Sequence, residues 1–496
     1  MIIIASGNIG NTGAGWELDD LGNVIVEGGF VNWDSTNSSP WQNFRTQIKK
    51  ITFSDDIDCG LTLTRLFYDL PNLITIEGLE KFDTSNTLKM DFMFFKNSKL
   101  KDLDLSDWIT SSLIDVTSMF EECSVLQNLN ISTWDTSSLL NTGGMFRNSP
   151  SLTYIDLSNW NVSKVVDMKF MFYNASSLQF LDVSKWDVQS VETFSNTFYG
   201  AKNLKNLDVT DWNTKSVTDL SSMFRGASSL TNLDLSNWDV SKVEKTWHMF
   251  RDMSNLVNLN ISGWKIRNVT TMVQMFSNAN KLESLDFSDW DTCRVSDMTN
   301  MLEKCSSLKK LIIGKYFNFK TNICLPNLIQ NNIYTGLWRN IGPGIETFPL
   351  GTHIFTSQQL INNYKGVSMS DIYVWDRINP DVQSLQPVRV GKMTPIAETF
   401  NSNQIYRQIW KVPFFQSEFS FELTTPKYIN QLVRIAGEYV EWCDDINENK
   451  YIIFGTCAES DTKISVTRKH GKIILSYHSN QTPSSFSYIF IDLVID

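Results

Sequence analysis

The stretch IDLSNWNVSKVVDMKFMF occupies residues 155–172, and LDLSNWDVSKVEKTWHMF occupies residues 233–250. The two share a tryptophan, a Ser-Lys-Val step and a Met-Phe pair at the same offsets. Extending the register outward from these segments finds Trp108, Trp134, Trp160, Trp186, Trp212, Trp238, Trp264 and Trp290, each 26 residues after the last. Phe82 holds the same phase one period earlier. The Met-Phe phenylalanine keeps time as Phe94, Phe120, Phe146, Phe172, Phe198, Phe224, Phe250 and Phe276, and Leu302 closes the series. A fixed period of this length is the signature of a solenoid, because a unit so small buries its apolar face only against its neighbours.

Each period holds two local patterns. The first, as in Leu103-Asp104-Leu105-Ser106, alternates apolar and polar and predicts a short strand with one buried face. The second, as in VTDLSSMFRGASSL at residues 217–230, places apolar residues three and four apart, which predicts a helical turn or short helix. The expected fold is therefore an α/β leucine-rich-repeat-like solenoid. It runs over residues 51–320 as nine or ten coils, a rod of roughly 45 Å at ~4.8 Å per coil.

The repeated columns have two readings each. The tryptophan ladder offers a sugar-stacking platform, but a position fixed in every coil answers first to stacking between neighbours, so core is expected. The column Asp104, Asn130, Asp156, Asp182, Asp208, Asp234, Asn260 and Asp286 offers cation ligands, with a solvated strand face as the expected reading. Cys123 and Cys305 share a phase and are expected to be small buried residues. Between the Ser and Trp columns lie Asp107, Thr133, Asn159, Lys185, Asp211, Asn237, Gly263 and Asp289. These are the candidate ligand-facing positions, since nothing in the repeat pattern constrains them.

The pattern LDLSNWDVSKV…MF…SSLTNLDLS resembles the BspA-like leucine-rich repeats of bacterial surface proteins. Residues 6–41, with SGNIGNTGAGWELDDLGNVIVEGG and SPW, resemble the N-terminal cap that precedes such repeats. The resemblance implies a solenoid used for adhesion or recognition, with no catalytic residues to carry over. Thr197 stands where other coils have Met, and Ile109 and Lys265 stand where others have Asp or Asn after Trp.

Past the repeats, residues 315–338 are expected to cap the open end, residues 341–351 to form a Gly/Pro-rich linker, and TSQQLINNYKG a short helix capped by Thr356 or Ser357. Residues 387–496 read as a small β-sandwich. The expected domains are thus 1–50, 51–320, 321–386 and 387–496. Within PVRVGKMTPIAETFNSNQIYRQIWKV, residues 387–412, the steps Val390-Gly391-Lys392 and Ile405-Tyr406-Arg407 are similar to a segment near the C-terminus of phage tail-fibre and other virion appendage proteins.

The remaining composition narrows function by exclusion. The chain of 496 residues carries 43 Lys and Arg against 54 Asp and Glu, a net charge of −11, which disfavours nucleic acid and anionic membrane surfaces. No apolar run is long enough to insert in a membrane, and the N-terminus lacks a basic, apolar leader. Seven cysteines without a CxxC pair and four scattered histidines indicate neither a disulfide framework nor a metal site. No GxSxG, HExxH or P-loop occurs. The sequence thus predicts a protein with no cofactor, no metal and no catalytic residues. Its expected role is a phage virion appendage (a tail-fibre, tail-tip or head-fibre protein, as a possible homotrimer beside other virion proteins) that binds a host cell-surface polysaccharide or protein. The alternative is a bacterial cell-surface leucine-rich-repeat adhesin.

Overall fold

A computed structural model describes residues 2–35, 38–347 and 349–378, together with the backbone of nine strands between residues 394 and 494. It divides into two compact units: one of Met1–Gly342 with Gly351–Asp376, the other of Pro343–Leu350 with Arg377–Asp496.

The first unit opens with β1 (Ile3–Asn8), β2 (Gly15–Asp19) and β3 (Asn23–Val26), paired antiparallel in order. From β3 the pairing turns parallel, onto β5 (Lys50–Phe53) and then β7 (Thr75–Glu77). A second parallel set joins β4 (Gly29–Asp34), β6 (Ile57–Thr64) and β8 (Phe82–Asp83). The rungs continue with β9 (Asp102–Asp104), β10 (Asn128–Asn130), single bridges at Tyr154, Phe180 and Asn206, then β11 (Asn232–Asp234), β12 (Asn258–Asn260), β13 (Ser284–Phe287) and β14 (Lys310–Ile313). Twelve rungs from β3 to β14 enclose about eleven coils, rather than nine or ten, because β3 inside the N-terminal segment already serves as a rung. Register is one full period: Leu103 faces Leu129, Leu233 faces Leu259, and Leu285 faces Leu311.

The Met-Phe segment is where the sequence expectation fails. It is not helical. From Met90 to Lys96 every second N–H leaves the coil: Met90, Phe92, Phe94 and Lys96 donate to the carbonyls of Asp115, Thr117, Met119 and Glu121 in the next coil at 2.8–3.0 Å. The intervening N–H groups of Met93, Phe95 and Asn97 close β-turns within the coil onto Met90, Phe92 and Phe94. Two residues per coil adopt the left-handed region, as at Ser118 (φ 54°) and Glu122 (φ 60°), Phe170 and Asn174, and His248 and Asp252. A helix needs each N–H for the carbonyl four residues back and tolerates no such φ, so inter-coil bonding replaces it with a ladder of turns. Apolar spacing of three and four is common to both conformations. Here it serves to bury Val116, Met119, Phe120 and Cys123.

Those inward residues build a continuous aromatic core. Trp41 stacks on Phe67, and Phe67 begins a column that passes through Phe94, Phe120, Phe146, Phe172, Phe198, Phe224, Phe250 and Phe276 with ring centroids 5.2–5.9 Å apart. Tryptophans stack beside it in two runs, Trp108–Trp134–Trp160 and Trp186–Trp212–Trp238, with centroids 6.1–6.5 Å apart. All eight repeat tryptophans are buried.

The far end is closed in two ways. Residues 316–323 receive the last coil's bonds, from Leu302 to Ile323 and from Asn300 to Asn322. The edge of β14 is covered by a strand beyond the expected cap. Among β15 (Tyr334–Asn340), β16 (Ile354–Phe355) and β17 (Asp371–Arg377), it is β17 that pairs antiparallel with β14. Helix α1 (Ser357–Asn363) lies between β16 and β17, capped by Thr356 in a reciprocal pairing with Gln359.

In the second unit, β18 (Thr394–Phe400), β19 (Asn403–Lys411), β21 (Leu432–Ile435), β22 (Glu438–Glu441) and β26 (Tyr488–Val494) form one antiparallel sheet in the order β18-β19-β26-β21-β22. A second sheet runs β20-β25-β24-β23, from β20 (Glu418–Thr424), β23 (Ile452–Ile453), β24 (Lys463–Lys469) and β25 (Lys472–His478). Of the virion-like steps, Ile405-Tyr406-Arg407 lies in β19, while Val390-Gly391-Lys392 lies outside the described residues.

Candidate functional site: the outer walls of the solenoid

The columns singled out by sequence divide cleanly by side. Tryptophan indoles face the core and clasp the preceding coil. Trp134, Trp186, Trp212, Trp238 and Trp264 donate from Nε1 to the carbonyls of Leu105, Leu157, Val183, Val209 and Leu235 at 2.8–3.2 Å. Trp108 does the same to Leu79. Trp160 and Trp290 make no such bond. Their carbonyl counterparts, 29 residues back, are Ile131 and Ile261, in the two coils that write Asn-Ile-Ser after leucine.

The acidic column terminates turns. Asp156 and Asp182 accept from the backbone N–H and the hydroxyl of Ser158 and Ser184, two residues on. Asp104, Asn130, Asp234, Asn260 and Asp286 act alike toward their backbone N–H partners. Hydrogen bonds from Ser158 and Ser184 hold the carboxyls of Asp156 and Asp182 below the usual carboxylate range. Among the described residues no group of three or more His, Cys, Asp or Glu side chains gathers around a common point. Cys123 and Cys305 are buried, and each thiol donates to a phenylalanine carbonyl of the preceding coil, Phe94 and Phe276.

Asp107, Thr133, Asn159, Lys185, Asp211, Asn237 and Asp289 are all exposed and stand one per coil in a single line, with Gly263 in the same line. Thr133 Oγ1 donates to the carbonyl of Ser106 at 2.6 Å.

A second outward line was not singled out from the sequence. The residue after each Met-Phe pair reads Phe95, Glu121, Arg147, Tyr173, Tyr199, Arg225 and Arg251, and stacking at one period places them side by side. Tyr173 and Tyr199 stack at 4.4 Å. The Arg147 guanidinium lies 5.4 Å from the Tyr173 ring and 5.0 Å from Phe170, and Arg225 lies 5.1 Å from Tyr199. Arg147 also pairs with Glu121 at 3.0 Å. Asp252 sits between Arg225 and Arg251 at 3.5 and 3.3 Å, and His248 Nδ1 lies 3.4 Å from Arg225. Burial, with Arg225 and Arg251 beside it, holds His248 below its usual pKa. Glu121 is buried, and the other members of the line are half-buried. At one end of the solenoid Arg65 covers Phe92 at 4.3 Å, and Tyr68 stacks on Phe95 at 5.0 Å. Writing the chain in its 26-residue register and reading the column after Met-Phe is the signal that exposes this band.

Arginine and aromatic side chains packed against one another, as here, are the residue types enriched at the centres of protein interfaces. The stacked parallel rungs and the fixed period define a leucine-rich-repeat-type solenoid. More narrowly, the chain belongs to the family described as Mycoplasma protein of unknown function, DUF285, whose profile matches residues 61–180, 144–258, 171–284 and 231–324. Among solved structures, the chain is similar to one in the Toll–Spatzle complex of Drosophila, at 15% identity over 62% of this chain and 52% of that one, with a TM-score of 0.26. It is also similar to one in the TLR13–ssRNA13 complex, at 16% identity over 57% and 48%, with a TM-score of 0.23. The matched part thus spans about half of those chains. A search of the curated proteins finds no match.

Proposed function

We propose that this chain is a non-catalytic recognition protein of the adhesin type, displayed at a cell surface, whose solenoid wall binds an external protein. The observation that carries this reading is the Arg147–Tyr173–Tyr199–Arg225 band. Its rings and guanidinium groups are already packed against one another, so binding would cost little side-chain entropy. The exposed line from Asp107 to Asp289 is the place where specificity varies between coils. We further propose that the two C-terminal sheets pack as a sandwich.

The virion-appendage expectation rests on residues 387–412, which the family match does not reach, and no comparison favours it over display on a cell surface. No helix among the described residues is long and apolar enough to cross a membrane.

The test uses the full chain, immobilised and exposed to a biotinylated extract of cell-surface proteins. Wild type retains a discrete partner, and the double variant Tyr173→Ala/Arg225→Ala loses it while melting within a few degrees of wild type. Equal retention by both proteins refutes a role for the band.

A further inference from the structure

A different wall carries a second feature. On the rungs, leucines at 103, 129, 233 and 259 point inward, so the residues before and after them point outward. One outward column reads Asp102, Asn128, Tyr154, Phe180, Asn206, Asn232 and Asn258, and its neighbour Asp104, Asn130, Asp156, Asp182, Asp208, Asp234 and Asn260. Two aromatic rings therefore interrupt a field of amides and carboxylates. Tyr154 and Phe180 are 60% and 51% exposed, and they are parallel partners on adjacent coils. On both sides of them the amides form a ladder, with Asn258 donating to Asn232 at 2.7 Å and Asn128 to Asp102.

The chemistry of that field selects its occupant. From 128 to 208 these two columns hold Asp156, Asp182 and Asp208 and no lysine or arginine, Lys185 and Lys205 lying beside them, and hydrogen bonds from Ser158 and Ser184 favour the ionised form of Asp156 and Asp182. A polyanion is therefore repelled. A protein partner needs about 800 Å² of complementary surface with an apolar centre, and two rings in a polar field fall well short. A neutral sugar chain matches: its ring faces are apolar and stack on aromatic faces, and its hydroxyls pair with carboxamides and with the Asp oxygens left over from the turns. The column advances ~4.8 Å per coil, close to one pyranose of an extended glycan.

We propose that Tyr154 and Phe180, flanked by Asn128, Asn206, Asp156 and Asp182, form a binding site for a neutral oligosaccharide lying along the solenoid. The site shares no residue with the arginine–tyrosine band, so it stands or falls separately from the protein-recognition reading.

The full chain would be titrated with cellohexaose, chitohexaose, mannohexaose and maltohexaose by calorimetry, with saturation-transfer NMR as a second readout. The expected result is binding of at least one hexasaccharide, weakened tenfold or more in Tyr154→Ala and in Phe180→Ala, and unchanged in Tyr173→Ala. Both variants should keep the wild-type melting temperature, because both side chains are exposed. Absence of binding to all four sugars overturns the proposal, as does binding that survives both substitutions. Loss of the protein partner in Tyr173→Ala/Arg225→Ala alongside unchanged sugar binding would leave both sites standing. Retention of that partner would refute only the band.

Discussion

The indole N–H of Trp212 donates to the main-chain carbonyl of Val183 at 3.0 Å, across the boundary between two coils. Trp160 occupies the same position in its own coil without such a bond. Replacing Trp212 with Phe removes this hydrogen bond, worth about 0.5–1.5 kcal/mol net beyond the lost packing, while the Val183 carbonyl keeps the backbone N–H of Trp186 at 3.1 Å. Trp160→Phe has only packing to lose. Urea unfolding of the two variants should therefore rank Trp212→Phe as clearly the more destabilised. Equal midpoints would show that the indole bond contributes nothing net.

Left-handed positions offer a graded test. At Gly200 (φ 69°) a Cβ would meet Asn174 Oδ1 at 2.3 Å, so that the Asn174 amide must swing aside, whereas at Gly226 (φ 72°) the nearest atoms are 3.7 Å away. Gly200→Ala should lose about 1–2 kcal/mol or more, and Gly226→Ala less, with only the backbone term to bear. Lys304 occupies the same phase with φ 60°. Lys304→Gly should raise the melting temperature, since relief of the left-handed strain outweighs the added freedom of the unfolded chain.

The cysteines should separate by reactivity. Burial pushes the Cys123 and Cys305 thiols up to about 12, whereas Cys293 is exposed. Brief iodoacetamide treatment of the native protein followed by peptide mapping should label Cys293 and spare Cys123 and Cys305. Ser149 fills the Cys123 position one coil later and bonds the Phe120 carbonyl at 2.7 Å. Cys123→Ser should therefore fold with near wild-type stability, while Cys123→Val removes one of the two hydrogen bonds to the Phe94 carbonyl, leaving the Asn97 N–H, and loses about 0.5–1.5 kcal/mol.

Acid stability should trace the turn-forming aspartates. The folded pKa values of Asp104, Asp156 and Asp182 lie below the ordinary value because serine hydrogen bonds favour the ionised form. A lowered folded pKa stabilises the fold above the unfolded pKa of about 3.9, and that contribution disappears as pH falls through the folded values. Glu121 runs the other way: burial raises its pKa, so its ionisation opposes folding, and protonation relieves that cost. Melting temperature recorded from pH 6 down to pH 2 should drop on an acid limb that Asp156→Asn/Asp182→Asn makes shallower. Asn130 and Asn260 fill the same position in other coils, so the double variant should melt near wild type at pH 7. An unaltered limb would assign acid sensitivity elsewhere.

Much of this architecture was legible in the sequence because stacking imposes identity. A residue at one phase touches the same phase in the next coil, so the Phe94–Phe276 column and the tryptophan ladder announce themselves by period alone. The Arg147–Tyr173–Tyr199–Arg225 band was legible only in part. Its residues share a phase but not a residue type, and no repeat signal marks a column whose members differ.

The sequence by itself determined the 26-residue period, the strand at Leu-x-Leu, the short helix that begins at Thr356 or Ser357 and the order of what lies inside. Each of these follows from local patterning or from contact with an identical neighbour. Tertiary structure alone decided that the Met-Phe segment is a ladder of turns and not a helix. Helix and turn ladder bury the same apolar residues, and what separates them is the destination of alternate N–H groups, which go to carbonyls 25 residues away. Tertiary structure also decided that β3 is the first rung and that β17 covers the last. A strand's partner is fixed by which unpaired edge the folded chain presents to it, and no local run of residues records that edge.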